Sequence, residues 1–329
     1  MRERIPRILV TGGAGFIGSA FTRLLINRGY FPFILDKLTY AGDLKRLEEV
    51  KGKFKFYKTD ICDKNRLDSI FAKEKPNIVA HFAAESHVDR SIIDAAPFIE
   101  TNIKGTQVLI DASLKHNVEK FIFISTDEVY GEIPRGKFNE NSPIKPNSPY
   151  AASKAGADIL VQAFIRTNNF PAIIIRPSNN YGSWQYPEKL ISLSILRILG
   201  GAKIPVYGKG QNVREWLYVD DCVAGIFKIM NKGKIGEVYN LGSAQESKNI
   251  NTVKLLLKTL KVSQERFEFV KDRLGHDLRY SLNSNKLYQE LGWRPNVLFA
   301  RGLKLTVDWS MKHKDWLKSK LEEINRFYK

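Results

Sequence analysis

The chain has 329 residues, of which 43% are hydrophobic and 26% are charged, and this is the composition of a folded globular protein. It contains no uninterrupted apolar run of about 18 residues, so we expect no membrane span and no membrane partner. Residues 1–10 lack the pattern of a secretory signal peptide, because their apolar run is short and leads directly into a glycine-rich segment.

The formal net charge of +17 raises the question of nucleic-acid binding. The lysines are spread along the chain, with a denser scatter after Lys304, and no zinc-finger or RNA-binding aromatic pattern accompanies them. We therefore interpret the charge as a solvated surface that mildly favours anionic substrates, and we expect no nucleic-acid partner. The two cysteines, Cys62 and Cys222, have no metal-binding or redox spacing. This predicts no metal site and a reducing, cytoplasmic location.

Short apolar runs and helical patterns alternate along the first half of the chain. The apolar runs predict strands at Ile8–Thr11, Phe31–Leu35, Phe54–Tyr57, Ile78–Phe82, Phe121–Ser125 and Ala172–Arg176. Helices are predicted between most of them, including Phe16–Arg28, Arg66–Lys73 and Thr101–His116. This alternation is typical of an α/β fold with a doubly wound parallel sheet (a Rossmann fold), in which the carboxyl ends of the strands form one ligand-binding edge.

The pattern loosens after Pro177, where loops rich in Asn, Gly and Pro appear, such as 179–182 and 207–212. We predict a dinucleotide-binding Rossmann domain over residues 1–177. Residues 178–329 would form most of a smaller C-terminal lobe that binds the substrate, with some segments crossing back to the first domain.

The segment 11–18, Thr-Gly-Gly-Ala-Gly-Phe-Ile-Gly, follows the first predicted strand and opens a helix. Glycines allow a tight turn and a close approach of the backbone to a pyrophosphate, and the helix N-terminus offers free N–H groups. In this context the pattern is a strong indication of dinucleotide binding. The residues that we expect to line the cofactor here are Gly12, Gly15, Phe16, Ile17 and Gly18.

Asp36 lies at the end of the second predicted strand, 18 residues after Gly18. A carboxylate at this point can bind the ribose hydroxyls and repel a 2′-phosphate, which favours NAD over NADP. Lys37 beside it could tolerate a phosphate. Asp60 and Ile61, after the third strand, could flank the adenine, although a polar strand end explains this pair equally well.

Tyr150 and Lys154 are four residues apart at the start of a predicted helix, so both project from one face. A lysine ammonium near a tyrosine hydroxyl stabilises the phenolate and is expected to lower the pKa of Tyr150. The tyrosine could then take a proton from a substrate hydroxyl while hydride leaves the same carbon. Together with the glycine segment, this spacing resembles the short-chain dehydrogenase/reductase superfamily, of the extended type that acts on nucleotide sugars.

Thr126, Asp127 and Glu128 follow the fifth predicted strand, at the expected ligand-binding edge. Simple epimerases and dehydrogenases of the superfamily need only the hydroxyl and the Tyr/Lys pair. Elimination of water also needs a base for a carbon-bound proton and an acid for the departing hydroxyl. Adjacent carboxylates can push their pKa values apart, so that one of them stays protonated.

The run Thr-Asp-Glu-Val-Tyr-Gly at 126–131 resembles the signature of the dTDP-glucose 4,6-dehydratases. Further segments are similar to that family, and the resemblance runs from about Arg7 to Trp309. These segments are 84–91, 179–182, 185–190, 212–221 and 275–280.

The resemblance implies NAD as cofactor, a nucleotide-diphosphate hexose as substrate, and a role for each matching residue. Tyr150 would be the oxidation base, with Lys154 as its partner and Thr126 as its aid. Asp127 would be the general acid and Glu128 the base for the C5 proton. Ala83 would join the cofactor-binding residues, as would Tyr150 and Lys154. The substrate-binding residues implied are Ser86, Asn180, Lys189, Leu190, Tyr207, Arg214, Asn249 and His276, with Tyr207 stacking on the base and Arg214 and Asn249 contacting the diphosphate.

The resemblance also implies a homodimer formed through the Tyr/Lys helix, although the apolar face of 155–165 is equally compatible with core packing. The chain departs from the family at Leu274 and Leu278, where proline and arginine are usual, and at 183–184, where Ser-Trp follows a glycine that proline usually follows. These positions lie near nucleotide-binding loops, so thymine, uracil and cytosine all stay open as the base of the substrate.

Two other functions stay open at this point. A nucleotide-sugar 4-epimerase or decarboxylase would share the glycine segment and the Tyr/Lys pair, but it would not need adjacent carboxylates. An inactive nucleotide-binding or RNA-associated protein is supported only by the basic charge.

Overall fold

The computed structural model describes residues 5–321 and residue 324. Within that part of the chain, no helix is both long and apolar enough to cross a membrane. The strands, in chain order, are β1 Ile8–Thr11, β2 Phe33–Asp36, β3 Lys55–Lys58, β4 Ile78–His81, β5 Lys120–Ile124, β6 Ala172–Pro177, β7 Asn179–Tyr181, β8 Ile204–Tyr207, β9 Val213–Tyr218, β10 Val238–Leu241, β11 Glu246–Lys248 and β12 Phe267–Val270.

The α-helices are α1 Phe16–Asn27, α2 Lys64–Glu74, α3 Val88–Ile93, α4 Ala96–Phe98, α5 Gly105–Lys115, α6 Pro149–Asn168, α7 Leu190–Leu199, α8 Val219–Lys232, α9 Asn249–Leu260, α10 Asn285–Leu291, α11 Phe299–Lys312 and α12 Lys314–Ser319. Leu44–Val50 and Asp127–Tyr130 are 3-10 helices, and Ile99–Lys104 is a π-helical segment that leads into α5.

Seven strands form one parallel sheet in the order β10-β6-β5-β4-β1-β2-β3. The chain starts at β1 and winds outward to β3, then returns to β4 and winds the other way. The carboxyl ends of β1 and β4 therefore flank the crevice where such sheets bind ligands. This confirms the prediction of an α/β fold with a doubly wound parallel sheet.

The strand predictions agree with the structure to within two residues. The largest shift is at β2, which begins at Phe33 and not at Phe31. Pro32 has no N–H to donate to a sheet, and Phe31 is 52% exposed, so neither residue joins the strand. The helix predicted over Thr101–His116 is divided between the π-helical segment and α5.

The central sheet is covered on both faces. Ile8 and Val10 of β1 point into a core layer that includes residues of α1 and α8, whereas Leu9 points into the layer formed with α2, α5 and α6. All three side chains are fully buried. Each such side chain contributes about 2 kcal/mol of apolar burial, which explains why a short continuous apolar run is enough to specify a central parallel strand.

The later part of the chain forms two small sheets, β11-β9-β7 and β12-β8, packed with α7, α9, α11 and α12. It also returns to the large sheet, because β10 pairs with β6 and α8 packs beside α1. The division into domains 1–177 and 178–329 stays a prediction, and residues 322, 323 and 325–329 of its second part lie outside the described residues.

Candidate active site

The glycine turn between β1 and α1 leaves no room for side chains at two positions. Gly12 has a φ of +68°, and a Cβ there would lie 2.5 Å from the backbone nitrogen of Ala83. A Cβ on Gly18 would lie 2.2 Å from the Gly12 carbonyl oxygen. Gly15 is the N-cap of α1 and provides no side-chain cap, so the first N–H groups of the helix, from Phe16 and Ile17 on, are not capped by a side chain. A cradle of this shape fits a pyrophosphate.

Asp36 ends β2 beside this turn. Its two carboxylate oxygens accept hydrogen bonds from the backbone N–H groups of Ala14, at 2.9 Å, and Leu38, at 2.8 Å. Burial raises the pKa of Asp36, and those two hydrogen bonds partly oppose the shift. A carboxylate has about four acceptor sites, so Asp36 keeps acceptor capacity for ribose hydroxyls.

The cation beside Asp36 is already paired, because Lys37 Nζ lies 2.6 Å from Asp60 Oδ2. The Lys37 side chain is 58% exposed, so this ion pair lies at the surface. The side chain of Ile61 packs into the core and is 3% exposed, so only its backbone could face a ligand. The Ala83 N–H lies 3.4 Å from the Thr11 hydroxyl oxygen, at the end of β1.

Tyr150 and Lys154 lie in the first turns of α6, which Ser148 caps by accepting the Ala151 N–H at 3.1 Å. Both side chains are buried. Lys154 Nζ donates to the Ile124 carbonyl oxygen at 2.6 Å, which fixes the lysine at the carboxyl end of β5. The sequence therefore brings the pair to the edge where Thr126 begins the acidic segment.

The expected lowering of the pKa of Tyr150 is wrong for this structure. Burial raises the pKa of Tyr150, and so do the neighbouring charges of Glu128 and Asp127, while a hydrogen bond from Thr126 acts in the opposite direction. Burial lowers the pKa of Lys154 to about 8, with Asp158 opposing that change. The amino group of Lys154 therefore loses its proton at a pH not far above neutral. Burial has a larger effect on the pKa of Tyr150 than any stabilisation of the phenolate by the lysine.

Thr126 organises the two carboxylates that follow it. Its hydroxyl accepts the Glu128 N–H at 3.3 Å and donates to Asp127 Oδ1 at 3.2 Å, which caps the 3-10 helix Asp127–Tyr130. Asp127 is 1% exposed, and its Oδ2 has no hydrogen-bond partner among the described residues. Such an atom is satisfied if it carries a proton and donates it to a ligand.

The two carboxylates are both buried, but different charges act most strongly on each of them. Burial, the largest cause, raises the pKa of Asp127 well above its usual range, and the negative charges of Glu128 and Glu215 act in the same direction. Burial also raises the pKa of Glu128, but the charges that act most strongly on it are cationic and belong to Lys189, Arg214 and Arg273. The site therefore favours the protonated form of Asp127 more strongly than that of Glu128.

Two of the predicted substrate-binding residues, Lys189 and Arg214, reach Glu128 from the second part of the chain. Lys189 Nζ donates to the Ser86 carbonyl oxygen at 2.6 Å. Arg214 Nη2 donates to the Asp277 carbonyl oxygen at 3.0 Å, and its guanidinium lies over the ring of Tyr280. These contacts hold the two cations in place next to Glu128.

Tyr207 and His276 meet edge to face, with ring centres 6.0 Å apart. Asn180 and Asn249 each have a buried Oδ1 without a hydrogen-bond partner among the described residues, as expected for atoms that await a ligand. Leu190, at the start of α7, differs from these residues because its partly buried side chain packs against the apolar core.

Two residues at the site were not identified from the sequence. Arg273 forms an ion pair with Asp89 at 2.5 Å and lies 5.3 Å from the centre of the Tyr207 ring. Glu215 is fully buried in β9 and influences Asp127. Arg273 lies two residues before Gly275, where the Gly-His-Asp segment begins, and that position was the one available signal for it.

The strand order of the large sheet reverses between β1 and β4, beside the glycine turn, and a tyrosine and a lysine of one helix reach the same edge. Together these features define an extended short-chain dehydrogenase/reductase. The particular family is narrower. The chain belongs to the GDP-mannose 4,6 dehydratase family, whose model matches residues 9–306.

Known proteins of this family are similar over nearly the whole chain. The dTDP-glucose 4,6-dehydratase of Actinoplanes sp. is 45% identical over 319 residues, which cover 94% of this chain and 99% of that protein. The crystal structure of DesIV, the dTDP-glucose 4,6-dehydratase of Streptomyces venezuelae, was determined with NAD bound and superposes with a TM-score of 0.92 at 45% identity, covering 94% of this chain and 98% of that chain. The UDP-glucose 4-epimerase of Thermotoga maritima is more distant in sequence, at 34% identity and a TM-score of 0.88, with coverage of 94% and 99%.

Proposed function

We propose that this chain is an NAD-dependent lyase that dehydrates dTDP-glucose to the 4-keto-6-deoxy sugar nucleotide. The observation that carries the proposal is the pair Asp127 and Glu128, which are adjacent in the chain and buried next to Tyr150, with anionic charges acting most strongly on Asp127 and cationic charges on Glu128. A dehydration needs an acid and a base at once, and this pair provides both. The similarity to dTDP-glucose 4,6-dehydratases along nearly the whole chain supports the same reaction.

NAD, bound at the glycine turn, supplies a transient oxidation at C4 and returns the same reducing equivalent at C6, so it is not consumed. Tyr150 takes the proton of the C4 hydroxyl in its phenolate form, which burial disfavours in the free chain and which the positive charges of Lys154 and of an oxidised nicotinamide would favour. Thr126 holds the C4 hydroxyl. The C4 ketone acidifies the C5 proton, which Glu128 removes. Asp127 gives its proton to the C6 hydroxyl, and water leaves. C5 is then reprotonated as the hydride returns to C6, which gives the 4-keto-6-deoxy sugar. Because these side chains are buried, solvent is excluded, and the electrostatic interactions that promote each proton transfer are stronger than they would be in water.

The substrate is held by residues outside the carboxylate pair. Arg214 and Asn249 bind the diphosphate, and Tyr207 stacks on the base, with His276 at its edge. Lys189, Ser86 and Asn180 bind the sugar end, with the backbone of Leu190 beside them. Arg214, assigned here to the diphosphate, and Lys189, assigned to the sugar end, both act to lower the pKa of Glu128, so substrate binding and base strength depend on the same two charges.

The test is incubation of the purified chain with dTDP-glucose, UDP-glucose and CDP-glucose in separate reactions, followed by mass spectrometry. We expect loss of one water from dTDP-glucose without net reduction of NAD. Preferential dehydration of UDP-glucose or CDP-glucose would mean that the nucleobase of the substrate is uracil or cytosine and not thymine. A change of sugar without loss of mass would indicate an epimerase, and loss of carbon dioxide from a uronic acid would indicate a decarboxylase.

We infer further that the enzyme is a homodimer formed through α6 and the π-helical segment beside it. Ile159 of α6 is 53% exposed and Ile99 is 54% exposed, although both are large apolar side chains. Exposed apolar residues on neighbouring helices suit a two-fold helical interface. Light scattering after gel filtration tests this, and Ile159→Lys is expected to shift the mass toward one subunit.

A cytoplasmic location fits the state of the two cysteines. Cys62 and Cys222 are both free, and burial raises the pKa of the Cys62 thiol to about 11 and that of the Cys222 thiol to about 12. Thiols with raised pKa values react slowly, as suits a protein kept in a reducing compartment. Fractionation of the cells that make the protein tests this location.

A further inference from the structure

Arg46 lies behind the glycine turn and is 1% exposed. Its Nη1 donates to the carbonyl oxygens of Ala14, at 2.8 Å, and Ala41, at 2.6 Å. Its Nε donates to the carbonyl oxygen of Trp184 at 3.0 Å. These carbonyls belong to the glycine turn, to the loop after β2 and to the segment after β7. One guanidinium therefore joins the cofactor-binding edge to the second part of the chain.

The peptide groups of Ala14 are held on both sides. The Ala14 N–H donates to Asp36 Oδ2 at 2.9 Å, and the Ala14 carbonyl accepts from the Asp43 N–H at 3.0 Å as well as from Arg46. Ala14 stands between Gly13 and Gly15, and glycines have wide conformational freedom. The direction in which this turn presents its N–H groups therefore depends on bonds from outside the turn.

The last described helix covers this arrangement. Asp43 Oδ2 accepts the indole N–H of Trp316 at 2.9 Å and lies 2.9 Å from Lys320 Nζ. The Arg46 guanidinium lies 5.4 Å from the centre of the Trp316 ring. We call Asp43, Arg46, Trp316 and Lys320 the C-terminal clasp.

The aromatic side chains around Arg46 and Trp316 shield these two residues of the clasp from water. Trp184 packs against Trp309 and Trp316, with ring centres 4.8 Å and 5.2 Å away. Trp316 itself is 6% exposed. In such surroundings a charged hydrogen bond is strong, because water does not compete for the donor. Trp184, one of the residues where the chain departs from its family, thus packs against the C-terminal helices.

We propose that Arg46 is a positioning residue for the cofactor and that the C-terminal clasp slows the release of NAD by fixing the glycine turn. The clasp contacts the back of the turn, away from the uncapped N–H groups of Phe16 and Ile17 at the start of α1. A turn that is already ordered loses less entropy when it binds, so it binds more tightly and releases more slowly. The proposal rests on the NAD site of the proposed function and is independent of the sugar and of the dehydration.

The experiment measures NAD release from the full-length, NAD-loaded protein, by displacement with an excess of unlabelled NAD, and it uses no sugar nucleotide. Arg46→Met keeps the length of the side chain and removes all three bonds to carbonyls, and Arg46→Lys restores a single donor group. We expect release to be about tenfold faster for Arg46→Met, with Arg46→Lys between that variant and the wild type.

Milder variants keep the test informative if Arg46→Met folds poorly. Trp316→Phe removes the N–H bonded to Asp43 and keeps an aromatic ring, and Trp309→Phe is its matched control in the same aromatic group. Lys320→Met removes the ion pair with Asp43, and Lys318→Met, on the exposed side of α12, is its control. We expect about threefold faster release from each clasp variant and less than a twofold change in each control.

Two further readouts separate positioning from general packing. Binding of dTDP, which does not use the glycine turn, is expected to change less than about twofold, and the melting temperature of the NAD-free protein is expected to stay within a few degrees. Unchanged NAD release in folded clasp variants would overturn the proposal. Equal losses of NAD and dTDP binding with a lowered melting temperature would also overturn it, because the clasp would then serve the fold alone.

Discussion

Arg176 of β6 and Asp158 of α6 form an ion pair with two hydrogen bonds inside the protein. Arg176 Nε lies 2.9 Å from Asp158 Oδ2, and Arg176 Nη2 lies 2.8 Å from Oδ1. The two residues are 2% and 0% exposed. Asp158 is one helical turn beyond Lys154, so the pair anchors the helix that carries the Tyr/Lys pair to the central sheet.

Breaking this pair is expected to destabilise the protein strongly. Asp158→Ala leaves a buried guanidinium without its counter-charge, which costs about 3–5 kcal/mol of the free energy of unfolding. Denaturant unfolding monitored by circular dichroism measures the loss. The double variant Asp158→Leu with Arg176→Met is the control, because it removes both charges and should recover much of the stability. Wild-type stability in Asp158→Ala would contradict the anchoring role.

Replacing both adjacent carboxylates is expected to separate the two halves of the reaction. In the double variant Asp127→Asn with Glu128→Gln, elimination should fall by about 10²–10⁴-fold for each lost acid or base, while oxidation at C4 persists. The measurement is accumulation of reduced cofactor together with a missing dehydrated product. Glu48→Gln, on the exposed surface, should behave as the wild type. Unchanged dehydration in the double variant would refute the roles of both residues.

The rate of elimination is expected to have a bell-shaped dependence on pH. Glu128 must be ionised to act, and because its pKa is raised by burial, the acid limb should lie above the usual glutamate value of about 4.3. Asp127 must be protonated, and its raised pKa places the loss of activity at the basic side. Rates at saturating substrate across the pH range measure both limbs. In Asp127→Asn the remaining slow reaction should lose its basic limb, and persistence of that limb would assign it to another group.

Lys154 is expected to make stability depend on pH above about 8. Its pKa is lowered to about 8 in the folded chain, whereas the usual lysine value applies after unfolding. Between those two values the unfolded chain binds more protons, so the free energy of unfolding rises with pH by about 3 kcal/mol. Denaturant unfolding of wild type and Lys154→Met over this range tests the sign. A constant difference between the two proteins would mean that Lys154 has no lowered pKa.

The strands of the central sheet and the catalytic residues at its edge could be predicted from the sequence, because both depend on local sequence patterns. Short apolar runs mark β1 and β4, and the segment 126–128 follows directly on β5. The pairing of β10 with β6 was not predicted, since four residues carry little signal and their partner is distant in the chain. The charges around Asp127 and Glu128 were inaccessible for the same reason, because Glu215 and Arg273 reach them from other elements.

The direction of the pKa shift of Tyr150 illustrates a different limit of prediction from sequence. The spacing of Tyr150 and Lys154 correctly predicts a shared helix face, but it contains no information about burial. Burial is the largest cause of the shift, and it depends on everything that packs around the helix. The role of Arg46 was not predicted, because the residues next to it in the sequence do not indicate that it donates three hydrogen bonds to carbonyls of other segments.

The position of β10 also determines how the protein can be made. The strand that completes the sheet is synthesised only after the chain has passed through β7, β8 and β9. Until then β6 is an open sheet edge, and the apolar surface that α8 later covers is exposed to water. A nascent chain that ends near residue 177 therefore has an unpaired, aggregation-prone strand, and a truncation at that point should yield insoluble protein in place of an independent nucleotide-binding module.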